Sequence, residues 1–248
     1  MDGNKYTYIT ILSDSYVQGV LALNQSIKDH CRYPLLVLCY NITKDTRKLL
    51  EKNGIQYRMV SMITSPLEAE KYRGVYTKIL AFNLSEYDLV IYLDSDTIIM
   101  KSPDDLFLKD AEWRGRQILG ATALHGYTFN DAEFSPGFMV IRPSDEIFAD
   151  LMAKKDITPT YDGGDQGFLN VVFANKWYRI PDEYHVTKRI FKHHPANWNE
   201  MHGKIRVLHF PGAKPWNNEP RIPFEQGYEK LEEIWQKVYN KVEYKHDG

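Results

Sequence analysis

The protein has 248 residues, of which 43% are hydrophobic, 26% charged and 13% aromatic, a composition typical of a globular protein. The 31 basic and 33 acidic residues leave a net charge of −2, which gives no reason to expect a nucleic-acid partner. Only two cysteines occur, which excludes a disulfide scaffold and a cysteine-rich zinc site. The chain start lacks the pattern of a secretory signal, and no apolar run approaches the roughly 20 residues of a membrane span. We therefore expect a cytoplasmic protein with no membrane partner.

Strands and helices alternate in the first half of the sequence. Apolar, β-rich runs predict strands at residues 6–12, 35–39, 56–60 and 89–93. Helical spacing of apolar residues, with Thr43 before one helix and Gly54 after it, predicts helices at residues 16–27, 43–53 and 75–84. Residues 89–93 form the most apolar short run, as expected of a central strand covered on both faces. This alternation predicts an α/β fold with a mainly parallel sheet flanked by helices.

The second half of the sequence is less regular. Strands are expected at residues 118–123 and 138–141, and helices at residues 145–154 and 165–174. Apolar residues from Phe224 to Val242 follow a 4-3-4-3-4 spacing, which predicts a last helix. Docking of this helix on the core is a more common outcome than binding of a partner.

A pair of carboxylates, Asp94 and Asp96, follows the predicted central strand. Ligands of open parallel sheets bind outside the carboxyl ends of the strands, and such a pair offers hard oxygen ligands to Mg²⁺, Mn²⁺ or Ca²⁺. Asp-x-Asp pairs also arise by chance, so the alternative to a metal site is an ordinary polar turn that ends the strand. Only the position after the strand favours a site.

The segment Asp162-Gly163-Gly164-Asp165-Gln166-Gly167 precedes a predicted helix. One interpretation is a glycine turn with Asp165 capping the helix. The other is a close approach of backbone to a ligand, with Asp162, Asp165 and Gln166 hydrogen-bonding the hydroxyls of a sugar. The local sequence leaves both open.

A third feature is the loop Leu208-His209-Phe210-Pro211-Gly212-Ala213-Lys214-Pro215-Trp216. A histidine after a short strand is more often a core residue than a ligand. Here His209 shares a Pro/Gly loop with Lys214, and imidazole suits manganese-like ions while a lysine suits phosphate.

Three motifs, taken in chain order, resemble those of glycosyltransferase family 8, the glycogenin-like enzymes. They are Asp-Ser-Asp, Asp-Gly-Gly-Asp-Gln-Gly and His-Phe-Pro-Gly-Ala-Lys-Pro-Trp. The resemblance runs from about Tyr8 to Trp216. It implies a Rossmann-like GT-A fold, a UDP-sugar donor carrying galactose or glucose, manganese, and transfer with retention of anomeric configuration. The absence of low-complexity segments, repeats and Pro/Gly/Ser linkers predicts one domain over residues 1–248. Within it we expect a nucleotide-binding half (1–100), a sugar and acceptor half (101–223) and a C-terminal docking helix (224–242).

The resemblance also assigns roles to individual residues. The implied metal ligands are Asp94, Asp96 and His209. The implied donor contacts are Thr10, Leu12, Tyr16, Lys78, Ser95, Gly212 and Lys214. The implied catalytic, sugar and acceptor contacts are Asp162, Asp165 and Gln166, with Asp165 the candidate nucleophile if a covalent intermediate forms. The alternative is front-face attack assisted by an oxygen of UDP.

Two departures from glycogenin concern the site. Ser135-Pro136-Gly137 stands where glycogenin has Asn-Ser-Gly, which puts one sugar contact in doubt. The loop before Lys214 is one residue shorter, a spacing that occurs elsewhere in the family.

Two other functions fit parts of this sequence. The segment around Asp94 also resembles the Asp-x-Asp-x-Thr box of haloacid-dehalogenase-type phosphatases, in which the first aspartate is a nucleophile. That box normally lies on the first strand and leaves the Lys-Pro-Trp loop unexplained. A non-catalytic sugar-binding module would fit a chain that lacks metal ligands.

The acceptor is expected to be a separate glycan or glycoprotein. In glycogenin the acceptor tyrosine lies between the last two motifs. Here that interval contains only Tyr178 and Tyr184, both early in it, and no tyrosine occurs from His185 to Leu208. A basic segment, residues 188–194, occupies this region and is expected near the acceptor. The compact chain is compatible with protist enzymes that add α-galactose to the glycan of the Skp subunit of cytosolic ubiquitin ligases. Self-glucosylation is the alternative, and a homodimer is left open.

Overall fold

The computed structural model describes residues 5–109, 118–119, 133–217 and 220–245. Its strands are β1 Tyr6–Leu12, β2 Leu35–Cys39, β3 Gln56–Met59, β4 Leu89–Leu93, β5 Thr97–Ile99, β6 Ile118–Leu119, β7 Phe138–Ile141, β8 Trp177–Tyr178, β9 Val186–Thr187 and β10 Val207–His209. Its α-helices are α1 Val17–His30, α2 Lys44–Lys52, α3 Asp105–Leu108, α4 Asp145–Lys154, α5 Asp165–Val172, α6 Lys188–His193, α7 Pro195–Met201 and α8 Glu229–Tyr239. Short 3-10 helices cover Asp14–Tyr16, Glu70–Tyr72, Val75–Asn83, Asp182–Tyr184 and Pro223–Glu225.

The main sheet of the described residues has the strand order β3-β2-β1-β4-β7-β6-β8. The β3-β2, β2-β1 and β1-β4 pairs are parallel, whereas β7 runs antiparallel to both β4 and β6. The predicted mainly parallel sheet is therefore confirmed. Strands β1, β2 and β4 carry an almost continuous row of buried apolar side chains, which forms the centre of the core.

A second, three-stranded sheet has the order β5-β10-β9. Strand β5 follows the Asp94–Asp96 turn directly, and β10 pairs antiparallel with it, with His209 opposite Thr97. This small sheet therefore joins the end of β4 to the His209 loop.

Two predicted helices differ from the structure. The segment predicted as a helix over 75–84 is a 3-10 helix over Val75–Asn83, because apolar spacing in so short a segment does not distinguish the two helix types. The last helix begins at Glu229 instead of Phe224. Gly227 adopts a left-handed backbone (φ +88°) that interrupts it, and Phe224 remains 44% exposed. The strand predicted over 118–123 is present at Ile118–Leu119, and its remaining residues lie outside the described part.

The described parts of the chain contain no helix that combines the length and apolarity needed to cross a bilayer.

Candidate active site

The two carboxylates lie in a rigid turn at the carboxyl end of β4. The amide of Asp94 donates to the carbonyl of Gly137 (2.9 Å), and the hydroxyl of Thr97 donates to the carbonyl of Asp94 (2.8 Å). Asp96 is buried, and Asp94 is half-buried. Strand β4 and the parallel β1 end on the same side, so the turn lies at the sheet edge where ligands of this fold class bind.

The strand pairing of the second sheet brings His209 to the same turn. Its Nε2 atom lies 3.0 Å from Oδ1 of Asp96 and 3.9 Å from Oδ2 of Asp94. One ligand atom from each of the three side chains lies within 4.8 Å of the other two. The structure therefore brings together the three residues that the sequence named as metal ligands.

Space for an ion at this cluster depends on Gly137. A Cβ atom at this position would lie 2.8 Å from Cε1 of His209 and 3.0 Å from Oδ2 of Asp94, so any side chain would fill the cradle. Two carboxylates and an imidazole form a donor set that suits Mn²⁺. The residues present thus fit a divalent metal ion.

Lys214 adds a positive charge beside the carboxylate pair. Its ammonium contacts Oδ2 of Asp96, donates to the carbonyl of Phe210 (3.3 Å) and lies 5.4 Å from the ring centre of Tyr16. Burial opposes ionisation of Asp96, but His209 and Lys214 outweigh it and hold the pKa of this carboxyl well below its usual range. Burial also opposes the charge of Lys214, and Asp96 raises the lysine's pKa above its usual value.

Lys78 links the Asp94 turn to the start of α5. Its buried ammonium lies 3.1 Å from Oδ1 of Asp94 and 2.5 Å from Oδ2 of Asp165. Burial alone would lower the pKa of Lys78, but the two carboxylates raise it instead. Burial raises the pKa of Asp165, and Lys78 only partly opposes this effect. Asp165 is therefore in the site and does not face solvent as a free helix cap would.

The capping role in this loop belongs to Asp162. Its Oδ1 atom accepts hydrogen bonds from the amides of Gly164 (2.9 Å) and Gly167 (3.0 Å) and from the hydroxyl of Thr160 (2.7 Å). These bonds fix the loop that enters α5, so Oδ1 of Asp162 is already occupied. Gln166, on the first turn of α5, is half-buried.

The residues expected to contact the nucleotide lie around the ends of β1 and β4. Thr10 and Leu12 are fully buried in β1, and the Thr10 hydroxyl has no hydrogen-bond partner in the part of the chain that the structure describes. Ser95 and Tyr16 are half-buried, and the Tyr16 ring meets Trp216 edge-on with 6.0 Å between ring centres. Gly212 is exposed, with a left-handed backbone (φ +80°).

A buried ion pair supports the Gly212–Lys214 loop from below. The fully buried ammonium of Lys188 lies 2.9 Å from Oε2 of Glu225 and donates to the carbonyl of Ala213 (2.7 Å). Oε2 of Glu225 accepts from the amide of Ala213 (3.1 Å). Lys188, the first residue of the basic segment 188–194, therefore packs inward, and the place of this segment near the acceptor stays a prediction.

Three further residues of the site had no motif to reveal them. Gly19 lies where a Cβ atom would be 2.3 Å from the carbonyl oxygen of Ser95 and 2.6 Å from the Trp216 ring, so α1 packs directly on the site. His185 contacts His209, and Glu225 holds the loop. Helical glycines and isolated polar residues are common in any sequence. Gly19, His185 and Glu225 can therefore be recognised as part of the site only from their neighbours in the structure.

Comparison with known proteins identifies the class. Residues 130–219 match the family model described as "Glycosyl transferase family 8", and residues 31–112 match a mannosyltransferase family model. The UDP-glucuronate:xylan alpha-glucuronosyltransferase 1 of Arabidopsis thaliana is 33% identical over 84% of this chain and 32% of its own length. Glycogenin-1 of Caenorhabditis elegans is 26% identical over 94% of this chain and 55% of its own length.

The solved structures show the fold. An active-site mutant of LgtC superposes with a TM-score of 0.70 at 16% identity, covering 97% of this chain and 98% of LgtC. The chain thus has the GT-A glycosyltransferase fold. In its fold, in its family match over residues 130–219 and in its curated relatives, the chain is similar to the family 8 glycosyltransferases. It spans less than half of the length of the plant glucuronosyltransferases that it matches.

Proposed function

We propose that this chain is a retaining, manganese-dependent glycosyltransferase that moves a sugar from a UDP-sugar to a separate glycan or glycoprotein. The convergence of Asp94, Asp96 and His209 between two cationic side chains is the observation that carries the proposal. A UDP-sugar offers a diphosphate for the cations and for the metal, and a sugar for the polar groups near α5.

In this proposal Asp94, Asp96 and His209 hold the metal ion. When bound, Mn²⁺ neutralises negative charge on the departing UDP and orients its diphosphate. The ammonium of Lys214 supplies a second positive charge to the same phosphates. The positive φ of Gly212 favours glycine in this loop, and a Cβ atom there would collide with the carboxylate of Glu225, which supports the loop.

The sugar would lie toward Lys78 and Asp165. The ammonium of Lys78 contacts the carboxylates of Asp94 and Asp165 at once and places a positive charge between them. Retention then has two routes. In one, a carboxylate oxygen of Asp165 bonds to the anomeric carbon as the bond to UDP breaks. The acceptor oxygen then bonds to that carbon, the bond to Asp165 breaks, and the acceptor proton goes to an oxygen of the departed UDP. In the other, the acceptor attacks from the side that UDP leaves and gives its proton to a UDP oxygen.

A separate acceptor is supported by the position of one tyrosine. Tyr184 is buried, and its hydroxyl contacts Asp105, so it is not presented for transfer. Tyr178 lies on β8 at the edge of the main sheet, 41% exposed. Self-glucosylation, as the glycogenin relatives suggest, remains the second candidate. A protein-linked cytosolic glycan receiving α-galactose is the specific acceptor proposed.

The donor sugar is best decided by a panel. UDP release would be measured with Mn²⁺ and UDP-glucose, UDP-galactose or UDP-glucuronate, first with water as acceptor. The third donor is included because several plant relatives are named as UDP-glucuronate enzymes. We expect release from one of these donors and none without metal. Phosphate release from a simple phosphate ester with no UDP release would favour a phosphatase, and UDP binding without any release would favour a binding module.

A further inference from the structure

The second nitrogen of His209 faces another buried histidine. Nδ1 of His209 lies 3.0 Å from Nε2 of His185, while Nε2 of His209 faces Asp96. His185 is fully buried and His209 is 7% exposed. Strands β9 and β10 pair in parallel with Thr187 opposite His209, and His185 lies two residues before Thr187, on the same side of the chain.

We propose that His185 is a positioning residue that fixes the tautomer and ring orientation of His209 for metal binding. This inference rests on the proposed function, because it takes His209 as a metal ligand through Nε2. A ligating nitrogen must offer a lone pair, so a neutral His209 then carries its proton on Nδ1. At 3.0 Å, Nδ1–H donates to Nε2 of His185, and His185 carries its own proton on Nδ1.

The hydrogen bond has two consequences for the site. It excludes the His209 tautomer that would place a proton on the metal-facing nitrogen. It also prevents the ring from turning away from Asp94 and Asp96 when no ion is bound. A ligating histidine usually donates its other ring nitrogen to a carboxylate, carbonyl or water. Here a buried imidazole takes that place.

Packing alone is the competing explanation, since the His185 ring also lies 6.0 Å from the ring centre of Phe138. Two substitutions of equal length separate the explanations. His185→Gln retains an acceptor near the position of Nε2, whereas His185→Met fills the same space without one. Mn²⁺ affinity would be measured by electron paramagnetic resonance titration, and unfolding by urea would be followed in parallel.

We expect His185→Met to weaken Mn²⁺ binding by roughly 10- to 100-fold, as for other partners of ligating histidines, and His185→Gln to restore most of it. The inference is overturned if the folded His185→Met variant binds Mn²⁺ as tightly as the wild type. It is also overturned if the His185→Gln variant binds Mn²⁺ as weakly as the His185→Met variant. A wild-type protein that binds no Mn²⁺ would instead refute the metal part of the proposed function.

A measurement on the wild type covers the case in which the variants do not fold. Nitrogen-15 shifts of the two imidazoles in the Mg²⁺-loaded protein report which ring nitrogens are protonated. The inference predicts a proton on Nδ1 of both rings and none on Nε2 of His185. A proton on Nε2 of His185 in the loaded protein would overturn it.

Discussion

The ammonium of Lys188 and the carboxylate of Glu225 form a buried ion pair, 2.9 Å apart, beneath the loop that carries Lys214. Lys188 is fully buried and the Glu225 side chain is 13% exposed. Their hydrogen bonds to Ala213 tie this loop to the 3-10 helix over Pro223–Glu225. The C-terminal part of the chain therefore helps to place a residue of the site.

Removing Lys188 should destabilise the protein. Lys188→Met leaves Glu225 buried without its partner, which costs about 3–5 kcal/mol for a buried pair. The double variant Lys188→Met/Glu225→Gln should regain part of this loss, as measured by urea unfolding. Lys48→Met, which removes a pair exposed at 68% and 90%, serves as the control and should change stability by less than about 1 kcal/mol. A single variant as stable as wild type would show that the pair supports nothing.

Loss of any proposed metal ligand should abolish turnover. Asp94→Ala, Asp96→Ala and His209→Ala each remove one of three donors, so the remaining two cannot hold the ion in the same position. Sugar transfer should fall to background while circular dichroism remains that of wild type. Full activity of the wild type in excess chelator would contradict the metal assignment.

Gly137→Ala should weaken Mn²⁺ binding without removing any ligand. The added Cβ would lie 2.8 Å from the His209 ring, so the ring or the backbone must shift. Overpacking of this kind costs typically 1–3 kcal/mol. Gly203→Ala meets nothing within 4 Å and is the matched control. Calorimetric titration with Mn²⁺ compares the Gly137→Ala and Gly203→Ala variants. Equal affinities would mean that the metal ion does not bind in the space beside Gly137.

Lys214→Ala should weaken binding of UDP-sugars. Loss of one charge-assisted hydrogen bond costs about 1.5–3 kcal/mol, which corresponds to roughly tenfold to hundredfold in affinity. Calorimetry with UDP and Mn²⁺ provides the measurement, and Lys237→Ala, on the exposed face of α8, provides the control. Unchanged donor affinity and rate would leave Lys214 with a structural role only.

The protein should not glycosylate itself. After incubation with Mn²⁺ and each UDP-sugar, the intact mass of the purified chain should be unchanged, because Tyr184 is buried and residues 186–207 contain no tyrosine. A ladder of added hexoses, mapped to a tyrosine of the chain, would support the glycogenin-like alternative.

Much of the fold followed from sequence patterns of a few residues. The apolar runs of β1, β2 and β4 predicted a parallel sheet, and the position of Asp94 after β4 predicted a site at its edge. The approach of His209 did not follow from local pattern, because β5 and β10 have only three residues each. Their pairing depends on contacts between distant parts of the chain. The chemistry of the side chains and the family resemblance both joined His209 to the carboxylates, but neither showed the strand pairing that brings them together.

Individual side-chain roles were harder to predict. A sequence shows that Asp162 and Asp165 flank a glycine turn, but not which one caps the helix. The structure gives the capping bonds to Asp162 and directs Asp165 to Lys78. His185 had no pattern at all, because its contact with His209 depends on the register between β9 and β10.

The central claim is that Asp94, Asp96 and His209 bind the metal ion that serves a UDP-sugar. The most direct measurement is anomalous diffraction above the manganese edge from crystals grown with Mn²⁺ and UDP. The account predicts an anomalous peak among these three side chains, with the diphosphate of UDP beside it. UDP bound in the site with no peak there, or a peak held by other residues, would contradict the account.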